Sequence, residues 1–385
     1  MKKKITDKIT VAFTGGGTGG HIYPGLAVVD EFRKKCAKNN QNLKVIWIGN
    51  SKGMDFSIVN NNFDSNGCKS VDDFYGIPAG KLRRYFSFKN FIDVFKVLGG
   101  IVSSFFILKK EKPAFLFSKG GFVSVPPCIC AKLLKIPVYT HECDFTPGLA
   151  TRLNSSFAKS ILITYKETQK YLPVAVREKC ILTGNPVRPV FYSAHENKGL
   201  AFLGIDKKIK PILLVVGGSL GARQINELVK SEFEWLCENF IVVHQTGLKN
   251  IEDTESFSNS DYKPYPFIYS EMPDVMACAD IVVSRAGANS IWECAVLAKP
   301  MILIPLCGSG TRGDQEDNAA YFEKQGAALV LSRENASGKM LKNSLEKMLI
   351  KENRISYEDS CKKLTQDVKP AEKISEILYN SVKNL

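Results

Sequence analysis

The sequence predicts an α/β protein with two nucleotide-binding domains whose parallel sheets face each other across a cleft. Two glycine-rich turns carry this prediction: GGGTGGH at residues 15–21 follows the apolar run 9–14, and GGSLGA at 217–222 follows the run 212–216. An amphipathic helical pattern comes after each turn. Glycine lets the backbone approach a ligand closely, and a helix that starts there directs its free N–H groups at an anion. Two such turns indicate two domains of nucleotide-binding type.

Strand-like runs alternate with helical patterns along the chain, and this alternation is typical of parallel sheets. The first crossover helix is predicted over residues 26–38, where Val28, Phe32 and Cys36 form an apolar stripe. The predicted strands lie near residues 9–14, 43–48, 114–118, 136–140 and 161–164 in the first half, and near 211–216, 240–244, 280–284, 301–305 and 327–331 in the second.

The break between the two domains is predicted at GNPVRP, residues 184–189, because two prolines and a glycine stop both helix and strand. This gives an N-terminal domain over 1–188 and a C-terminal domain over 189–365. The pattern after about residue 335 is helical, and a helix over about 366–385 could pack back on the first domain.

Composition narrows the function classes. The net charge of +13 indicates attraction to an anion such as a nucleotide phosphate, nucleic acid or an anionic lipid surface. No helix-turn-helix, zinc finger or aromatic RNA-binding strand accompanies that charge, so nucleic acid ranks low. Eleven scattered cysteines without CxxC spacing indicate free thiols in a reducing cytoplasm. The start of the chain does not read as a signal peptide, and the longest uncharged run, 97–108, is too short to span a bilayer.

The first glycine turn ends in His21, a side chain that exchanges protons near neutral pH. GGGTGG also contains the GxGxxG pattern of nicotinamide and flavin enzymes, but the second predicted strand ends in Gly49 and Asn50 without the carboxylate that would hold a ribose. Pro24 is predicted in the first turn of the following helix, which places His21 beside the cleft. The alternative is a histidine that only caps or packs.

Two acidic side chains follow the fourth predicted strand. Glu142 and Asp144 stand where a parallel strand delivers side chains to the ligand edge of its sheet. They could hold sugar hydroxyls or orient His21, or they could cap the next helix. No cluster with metal-ligand spacing is visible, so the sequence requires no catalytic cation and no cofactor.

The second half contains another helix start that could face a phosphate. SRAGANSIWE, residues 284–293, follows a strand, and Ser290 is a candidate N-cap with Glu293 in the first turn. Glu293 could accept hydrogen bonds from two vicinal ribose hydroxyls, or it could only complement the helix dipole. Further on, Gln315 lies at the start of a helix after the loop 307–313 and could hydrogen-bond sugar hydroxyls.

Residues 74–91 interleave aromatic and basic side chains, a composition that suits an anionic membrane surface. Core packing is the alternative for Phe88 and Phe91. The residues predicted to contact the membrane are Lys81, Arg83, Arg84, Tyr85 and Phe86.

Taken together, GGGTGGHIYPGLA, SKGGFVSVP, HECDFTPGLA, GNPVR, GGSLGA, SRAGANSIWE and DQEDNA resemble the MurG family of bacterial N-acetylglucosaminyltransferases, in the family's order, from about residue 9 to about 345. The resemblance implies a GT-B fold of two Rossmann-like domains. It also implies metal-independent inverting transfer of N-acetylglucosamine from UDP-N-acetylglucosamine to the C4 hydroxyl of the muramyl sugar of lipid I, an undecaprenyl-linked muramyl-pentapeptide, which gives lipid II. Members act at the cytoplasmic face of the bacterial inner membrane as peripheral proteins.

The resemblance also implies roles for individual residues. His21 would be the base, with Glu142 next in line. Glu293 would hold the ribose, and Gln315 the N-acetylglucosamine. The other donor contacts would be Thr18, Gly19, Gly20, Asp144, Arg188, Ser219, Tyr269, Ala288, Asn289 and Ser290.

This chain departs from the family at two places. Asp144 stands where members commonly have Asn, and Leu220 replaces a common Gln. The first departure weakens a donor contact, and the second weakens a side-chain contact in the second turn. Three alternatives to the family function stay open: another GT-B transferase with a lipid acceptor such as diacylglycerol, a UDP-sugar epimerase, and a non-catalytic nucleotide-sugar or membrane-binding module.

Overall fold

The computed structural model describes residues 8–64, 67–80, 88–218, 221–248, 250, 257, 259–308, 311–366 and 369–383, and the side chains of 88–92 are outside that description. The described chain divides into two compact units. One holds the residues through Arg188 together with the C-terminal helix, and the other begins at Pro189. Each unit is built on one parallel sheet, so the predicted α/β class is confirmed.

The strands are β1 (Ile9–Thr14), β2 (Leu43–Asn50), β3 (Asp73–Ile77), β4 (Leu116–Ser118), β5 (Val138–Glu142), β6 (Ser160–Ile163), β7 (Cys180–Leu182), β8 (Ile212–Val216), β9 (Ile241–Gln245), β10 (Tyr262–Tyr265), β11 (Ile281–Ser284), β12 (Met301–Leu303) and β13 (Ala328–Val330). The α-helices are α1 (Gly19–Lys38), α2 (Asp55–Asn60), α3 (Phe88–Glu111), α4 (Val125–Leu133), α5 (Leu149–Phe157), α6 (Pro189–Tyr192), α7 (Glu196–Leu203), α8 (Arg223–Ser231), α9 (Phe233–Asn239), α10 (Met272–Cys278), α11 (Ala288–Val296), α12 (Asp314–Lys324), α13 (Gly338–Leu349), α14 (Lys351–Thr365) and α15 (Pro370–Asn380).

The strand order locates the ligand edge of each sheet. The first sheet runs β3-β2-β1-β4-β5-β6-β7 and the second runs β10-β9-β8-β11-β12-β13. In the first sheet, successive strands are added in one direction from β1 to β3 and in the opposite direction from β4 onward, so the strand order reverses between β1 and β4. In the second sheet it reverses in the same way between β8 and β11. Open parallel sheets bind ligands beyond the carboxyl ends of their strands at such a reversal. The turns after β1, β4, β8 and β11 are therefore the candidate ligand-binding positions.

Helix α15 packs against α1 within the first unit. Ile374, Leu378 and Tyr379 join the core cluster that contains Phe32 of α1, and the rings of Phe32 and Tyr379 lie 6.4 Å apart. Lys35 adds an ion pair with a glutamate of α15 and lies 5.4 Å from the ring centroid of Tyr379. The end of the chain thus completes the apolar face of the first sheet that α1 covers.

Two features differ from the sequence prediction. Strands β3, β7 and β10 were not predicted, and all three lie at an edge of their sheet. Helix α1 begins at Gly19 instead of residue 26, so Pro24 lies inside the helix and not in its first turn. The backbone becomes helical directly after the extended residue Thr18. The eleven cysteines are all free, as predicted, and eight of them are buried.

Candidate functional site

The first glycine turn connects β1 to α1 and places His21 at the start of that helix. Gly17 has a φ of +83°, which glycine adopts without strain. The Thr18 hydroxyl lies 2.8 Å from Nδ1 of His21, while Gly19 and Gly20 open the helix. The predicted base is partly exposed at the reversal of the first sheet, and one of its ring nitrogens is held by the preceding turn.

A buried carboxylate lies directly under this turn. Asp55, the first residue of α2, is 1% exposed. Its two carboxylate oxygens accept the N–H of Gly17 at 3.0 and 3.2 Å, and one of them also accepts the N–H of Asn50 at 2.8 Å. A Cβ at Gly16 would lie 1.8 Å from that carboxylate. Asp55 was not predicted from the sequence, where its only signal is an acidic residue five positions after the end of β2.

The turn after β4 supplies a second glycine wall around His21. Gly120 and Gly121 have φ values of +88° and +78°. A Cβ at Gly121 would lie 2.7 Å from the carbonyl oxygen of Gly16 and 3.3 Å from Cγ of His21. Because no larger residue fits there, the backbone after β4 packs directly against the imidazole ring.

His141 and Lys119 lie buried at the ends of the neighbouring strands β5 and β4. Burial, together with the charge of Lys119, holds the pKa of His141 well below its usual range. The ring is therefore neutral, and Nε2 donates to the carbonyl oxygen of Gly184 at 3.0 Å. His141 thus connects β5 to the segment after β7 and is not suited to carry a proton at neutral pH.

Glu142 holds the loop that follows β5. One carboxylate oxygen accepts the N–H groups of Cys143 and Asp144 at 2.9 and 3.1 Å, and the other accepts that of Gly148 at 2.9 Å. Gly148 is the residue that precedes α5. With its side chain 5% exposed, Glu142 has the geometry of a loop anchor.

Glu142, Cys143 and Asp144 also bring ligand-type atoms within 4.8 Å of one another. Two observations argue against a metal at this cluster. The oxygens of Glu142 already accept three N–H groups, and burial raises the pKa of the Cys143 thiol to about 12. A thiol must lose its proton to ligate a metal. The cluster is therefore poorly suited to bind a cation.

Arg188 ends the first unit, and its guanidinium carbon lies 5.0 Å from the ring centroid of Tyr23. This cation–π contact attaches the interdomain segment to α1. The donor contact predicted for Arg188 would have to be made by a guanidinium that also contacts Tyr23.

In the second unit, the second glycine turn includes Ser219 and Leu220, which lie outside the described residues. Its described glycines Gly218 and Gly221 have φ values of +88° and +77°. Gln245, at the end of β9, donates to the carbonyl oxygen of Gly218 at 3.3 Å and accepts the N–H of Ile268 at 2.9 Å. Gln245 therefore connects this turn to the loop that carries Tyr269, whose side chain is 66% exposed. The sequence analysis did not single out Gln245.

Helix α11 follows β11 and begins earlier than predicted. Gly287 is the N-cap and Ala288 the first helical residue, so Ser290 lies inside the first turn and does not cap the helix. Glu293 is consequently in the second turn, and the first turn contains no acidic residue. The predicted location of Glu293 in the first turn was wrong by one turn.

Helix α12 begins at Asp314, as predicted, with Asp314, Glu316 and Asp317 in its first turn. The side-chain oxygen of Gln315 accepts the N–H of Leu306 at 3.0 Å. Gln315 therefore holds the end of the segment that leaves β12, and its amide group remains next to that loop.

The residues predicted to contact a membrane, Lys81, Arg83, Arg84, Tyr85 and Phe86, lie outside the described part of the chain. The following helix α3 exposes a stripe of large apolar side chains that are 46–65% accessible: Val94, Phe95, Leu98, Val102 and Phe106. Among the described helices, none is long and apolar enough to span a bilayer.

Comparison with known proteins gives a consistent result. The model of the glycosyltransferase family 28 N-terminal domain matches residues 11–163, and that of the family 28 C-terminal domain matches residues 212–374. The UDP-N-acetylglucosamine–N-acetylmuramyl-(pentapeptide) pyrophosphoryl-undecaprenol N-acetylglucosamine transferase of Treponema denticola is 51% identical over 366 residues, which cover 92% of each chain. A Bacillus cereus protein of the same name, numbered 2, is 41% identical over 354 residues, 92% of this chain and 94% of that one.

Among solved structures, that of Acinetobacter baumannii MurG superposes with a TM-score of 0.69 at 22% identity, covering 97% of this chain and 99% of that chain. The UDP-GlcNAc 2-epimerase of Methanocaldococcus jannaschii superposes with a TM-score of 0.64 at 15% identity over the same shares. These likenesses establish the GT-B fold. They do not distinguish between the two activities, because both occur on that fold.

Proposed function

The chain belongs to glycosyltransferase family 28, and from that premise we propose that it transfers N-acetylglucosamine from UDP-N-acetylglucosamine to lipid I, giving lipid II. The observation that carries the proposal is the identity of 51% and 41%, over nine-tenths of the chain, to proteins named for this reaction. The matched span includes both ligand edges. Identity at this level over the whole chain supports a shared reaction, whereas the fold alone is shared with epimerases.

The charges around the two glycine turns support placing the donor in the second unit. In the first turn, the N–H of Gly17 is already bonded to the carboxylate of Asp55, and a carboxylate there repels a diphosphate. The helices that follow β1, β8 and β11 all lack an acidic residue in their first turns, so the two units differ in the Asp55 carboxylate at the first glycine turn and in Arg223 at the start of α8. Helix N-termini of this kind bind phosphate. We therefore place the diphosphate of UDP at the N-termini of α8 and α11.

The remaining donor contacts are proposed along the same edge. The main chain of Ala288, Asn289 and Ser290 would bind the diphosphate together with Ser219, and Glu293 would accept hydrogen bonds from the ribose. Tyr269 would present its main chain to the uracil, and Gln315 would bind the sugar. We also propose donor contacts for Thr18, Gly19, Gly20, Asp144 and Arg188.

We propose His21 as the general base of a single displacement. The acceptor hydroxyl oxygen attacks the anomeric carbon, its proton passes to Nε2 of His21, and the bond from that carbon to the UDP oxygen breaks. Charge develops on the leaving diphosphate, where backbone N–H groups at helix N-termini can stabilise it. Glu142 was the alternative base. Its carboxylate accepts three backbone N–H groups, which supports an anchoring role instead.

We further propose peripheral binding to the cytoplasmic face of the membrane, where the lipid acceptor resides. The exposed apolar stripe of α3 begins at Val94, ten residues after the basic segment 81–84. Apolar side chains beside basic ones suit an anionic lipid surface. Vesicle sedimentation tests this proposal: Phe95→Ser with Phe106→Ser, and separately Lys81, Arg83 and Arg84 to Ser, should each release the protein from anionic vesicles. Unchanged binding by both variants would place the contact elsewhere.

The reaction itself is tested with UDP-N-acetylglucosamine and a short-chain lipid I analogue. The expected product is the β-linked disaccharide lipid with release of one UDP per transfer. A second reaction contains diacylglycerol, and a third contains no acceptor. Glycosylated diacylglycerol would indicate another lipid acceptor, and conversion of the UDP-sugar without acceptor would indicate an epimerase. Binding of UDP-N-acetylglucosamine without turnover would indicate a binding module.

A further inference from the structure

His21 can act as a base only when Nε2 carries a lone pair. In the neutral ring one nitrogen bears the proton, so this requires the proton to be on Nδ1. Nδ1 lies 2.8 Å from the Thr18 hydroxyl, an oxygen that can either accept or donate. Thr18 is exposed, so its own hydrogen can point to solvent while its oxygen accepts Nδ1–H.

The position of Thr18 depends in turn on the peptide that precedes it. Gly17 stands at a φ of +83° and Thr18 is extended, with φ −151° and ψ 153°. Asp55 accepts the N–H of Gly17 with both oxygens and joins it to the end of β2 through Asn50. A second fixed point is the indole of Trp47, which donates to the carbonyl oxygen of Gly15 at 3.1 Å. The turn is therefore held at two points, by the carboxylate of Asp55 and by the indole of Trp47.

We propose that Asp55 is a positioning residue for His21: it fixes the Gly17–Thr18 segment so that Thr18 Oγ1 accepts Nδ1–H and leaves Nε2 as the base. The expected effect on catalysis rests on the proposed function, whereas the hydrogen bonds of Asp55 and Thr18 and the tautomer of His21 do not. A carboxylate that only joined β2 to the turn would stabilise the fold without affecting the state of the His21 ring. The test must therefore observe the ring directly.

The experiment is ¹⁵N NMR of the full-length protein labelled at histidine. The chain has four histidines, and His21→Ala identifies the pair of signals from His21. The variants are Asp55→Asn, which replaces one acceptor oxygen by an N–H donor, and Thr18→Val, which removes only the hydroxyl. Thr18→Ser is the conservative variant. Asp72→Asn is the matched control, because Asp72 accepts the N–H of Val45 at the other end of β2.

In the unmodified protein at a pH where His21 is neutral, we expect Nδ1 protonated and Nε2 bare. Asp55→Asn and Thr18→Val should each produce a mixture of tautomers, whereas Thr18→Ser and Asp72→Asn should keep the original one. An unmodified protein with Nε2–H, or an unchanged tautomer in both test variants, would overturn the proposal. If Asp55→Asn fails to fold, Thr18→Val still tests whether the hydroxyl sets the tautomer. Asp55→Glu then replaces Asp55→Asn as the test of the carboxylate's position.

Steady-state kinetics provides the second readout. Asp55→Asn should lower kcat by about tenfold, a fraction of the roughly 10²–10⁴-fold that a general base contributes, with the KM for UDP-N-acetylglucosamine within about twofold. An unchanged kcat would count against the proposal. If the unmodified protein transfers no sugar, the proposed function fails, but the NMR result still decides whether Asp55 and Thr18 set the state of His21.

Discussion

Glu142→Gln separates a loop anchor from a catalytic base. Glutamine keeps one acceptor oxygen, which can still accept the N–H groups of Cys143 and Asp144. Its NH₂ group then faces the N–H of Gly148 and cannot accept it. One charge-assisted hydrogen bond is lost, and the other two become bonds to a neutral acceptor. Hydrogen bonds to charged groups contribute about 1.5–3 kcal/mol and neutral ones about 0.5–1.5 kcal/mol, so the lost bond costs about 1.5–3 kcal/mol and each weakened bond about 1–1.5 kcal/mol. The free energy of unfolding of the first unit should therefore fall by about 3.5–6 kcal/mol.

The three tryptophans allow this loss to be measured in one unit. Trp47 is fully buried in the first unit, while Trp235 and Trp292 belong to the second. In a background with Trp235→Phe and Trp292→Phe, tryptophan fluorescence during urea unfolding reports on the first unit alone. With an m-value of about 2 kcal/mol/M, the midpoint should fall by about 2–3 M. The matched control is Glu178→Gln, which removes the same charge from an exposed site in the same unit.

The kinetic result completes the test. If Glu142 is an anchor, kcat under native conditions should fall by less than about tenfold, because His21 still takes the proton. If Glu142 is the base, kcat should fall by roughly 10²–10⁴-fold while the urea midpoint stays where it is. That second combination would refute the anchoring argument.

Three further predictions concern other parts of the molecule. Burial lowers the pKa of His244 to about 4, with its ring between Tyr262 and Asn226. Between pH 6.5 and 4 the unfolded state therefore binds more protons than the folded state. Urea unfolding should show the free energy of unfolding of the second unit falling by about 2 kcal/mol from pH 7 to pH 5, and the fall should be smaller in His244→Asn. Glu293→Ala should raise the donor KM by roughly 10-fold or more, as one charge-assisted acceptor is lost, and an unchanged KM would exclude the ribose role. A chelator should leave transfer intact; activity lost with EDTA and restored by magnesium or manganese would contradict the donor site proposed above.

The parts of the fold that the sequence predicted are those with local signals. Strand β8 is a continuous apolar run followed directly by glycine, and β1 and β11 are mostly apolar and buried, as expected of strands covered on both faces. The three unpredicted strands lie at sheet edges, where burial no longer demands an apolar run. Strand β10 reads YKPY, with Lys and Pro inside it and three of its four residues only partly buried. Proline is tolerated there because an edge strand has one side without a hydrogen-bonded neighbour.

The candidate site shows the same division. His21 was identifiable because the glycine turn precedes it in the chain. Asp55 was not, because it acts on Gly17 from 38 residues away, and only the pairing of β1 with β2 brings the two together. The absence of a carboxylate at the end of β2 remains an argument against a ribose contact of the nicotinamide type. The acidic residue five positions later binds the first glycine turn through the N–H of Gly17.

Helix α11 begins earlier than predicted, and the resulting position of Glu293 supports its proposed role. In the first turn of a helix, a carboxylate is favourable through the helix dipole alone, so its presence there requires no ligand. That effect falls off within one turn, and Glu293 is the sixth residue of a helix that begins at Ala288. The dipole therefore does not account for a carboxylate at this position. Its side chain is partly exposed, one turn beyond the backbone N–H groups proposed to bind the diphosphate. Since the ribose of a bound nucleotide is attached directly to that diphosphate, a carboxylate one turn away is placed to accept its hydroxyls.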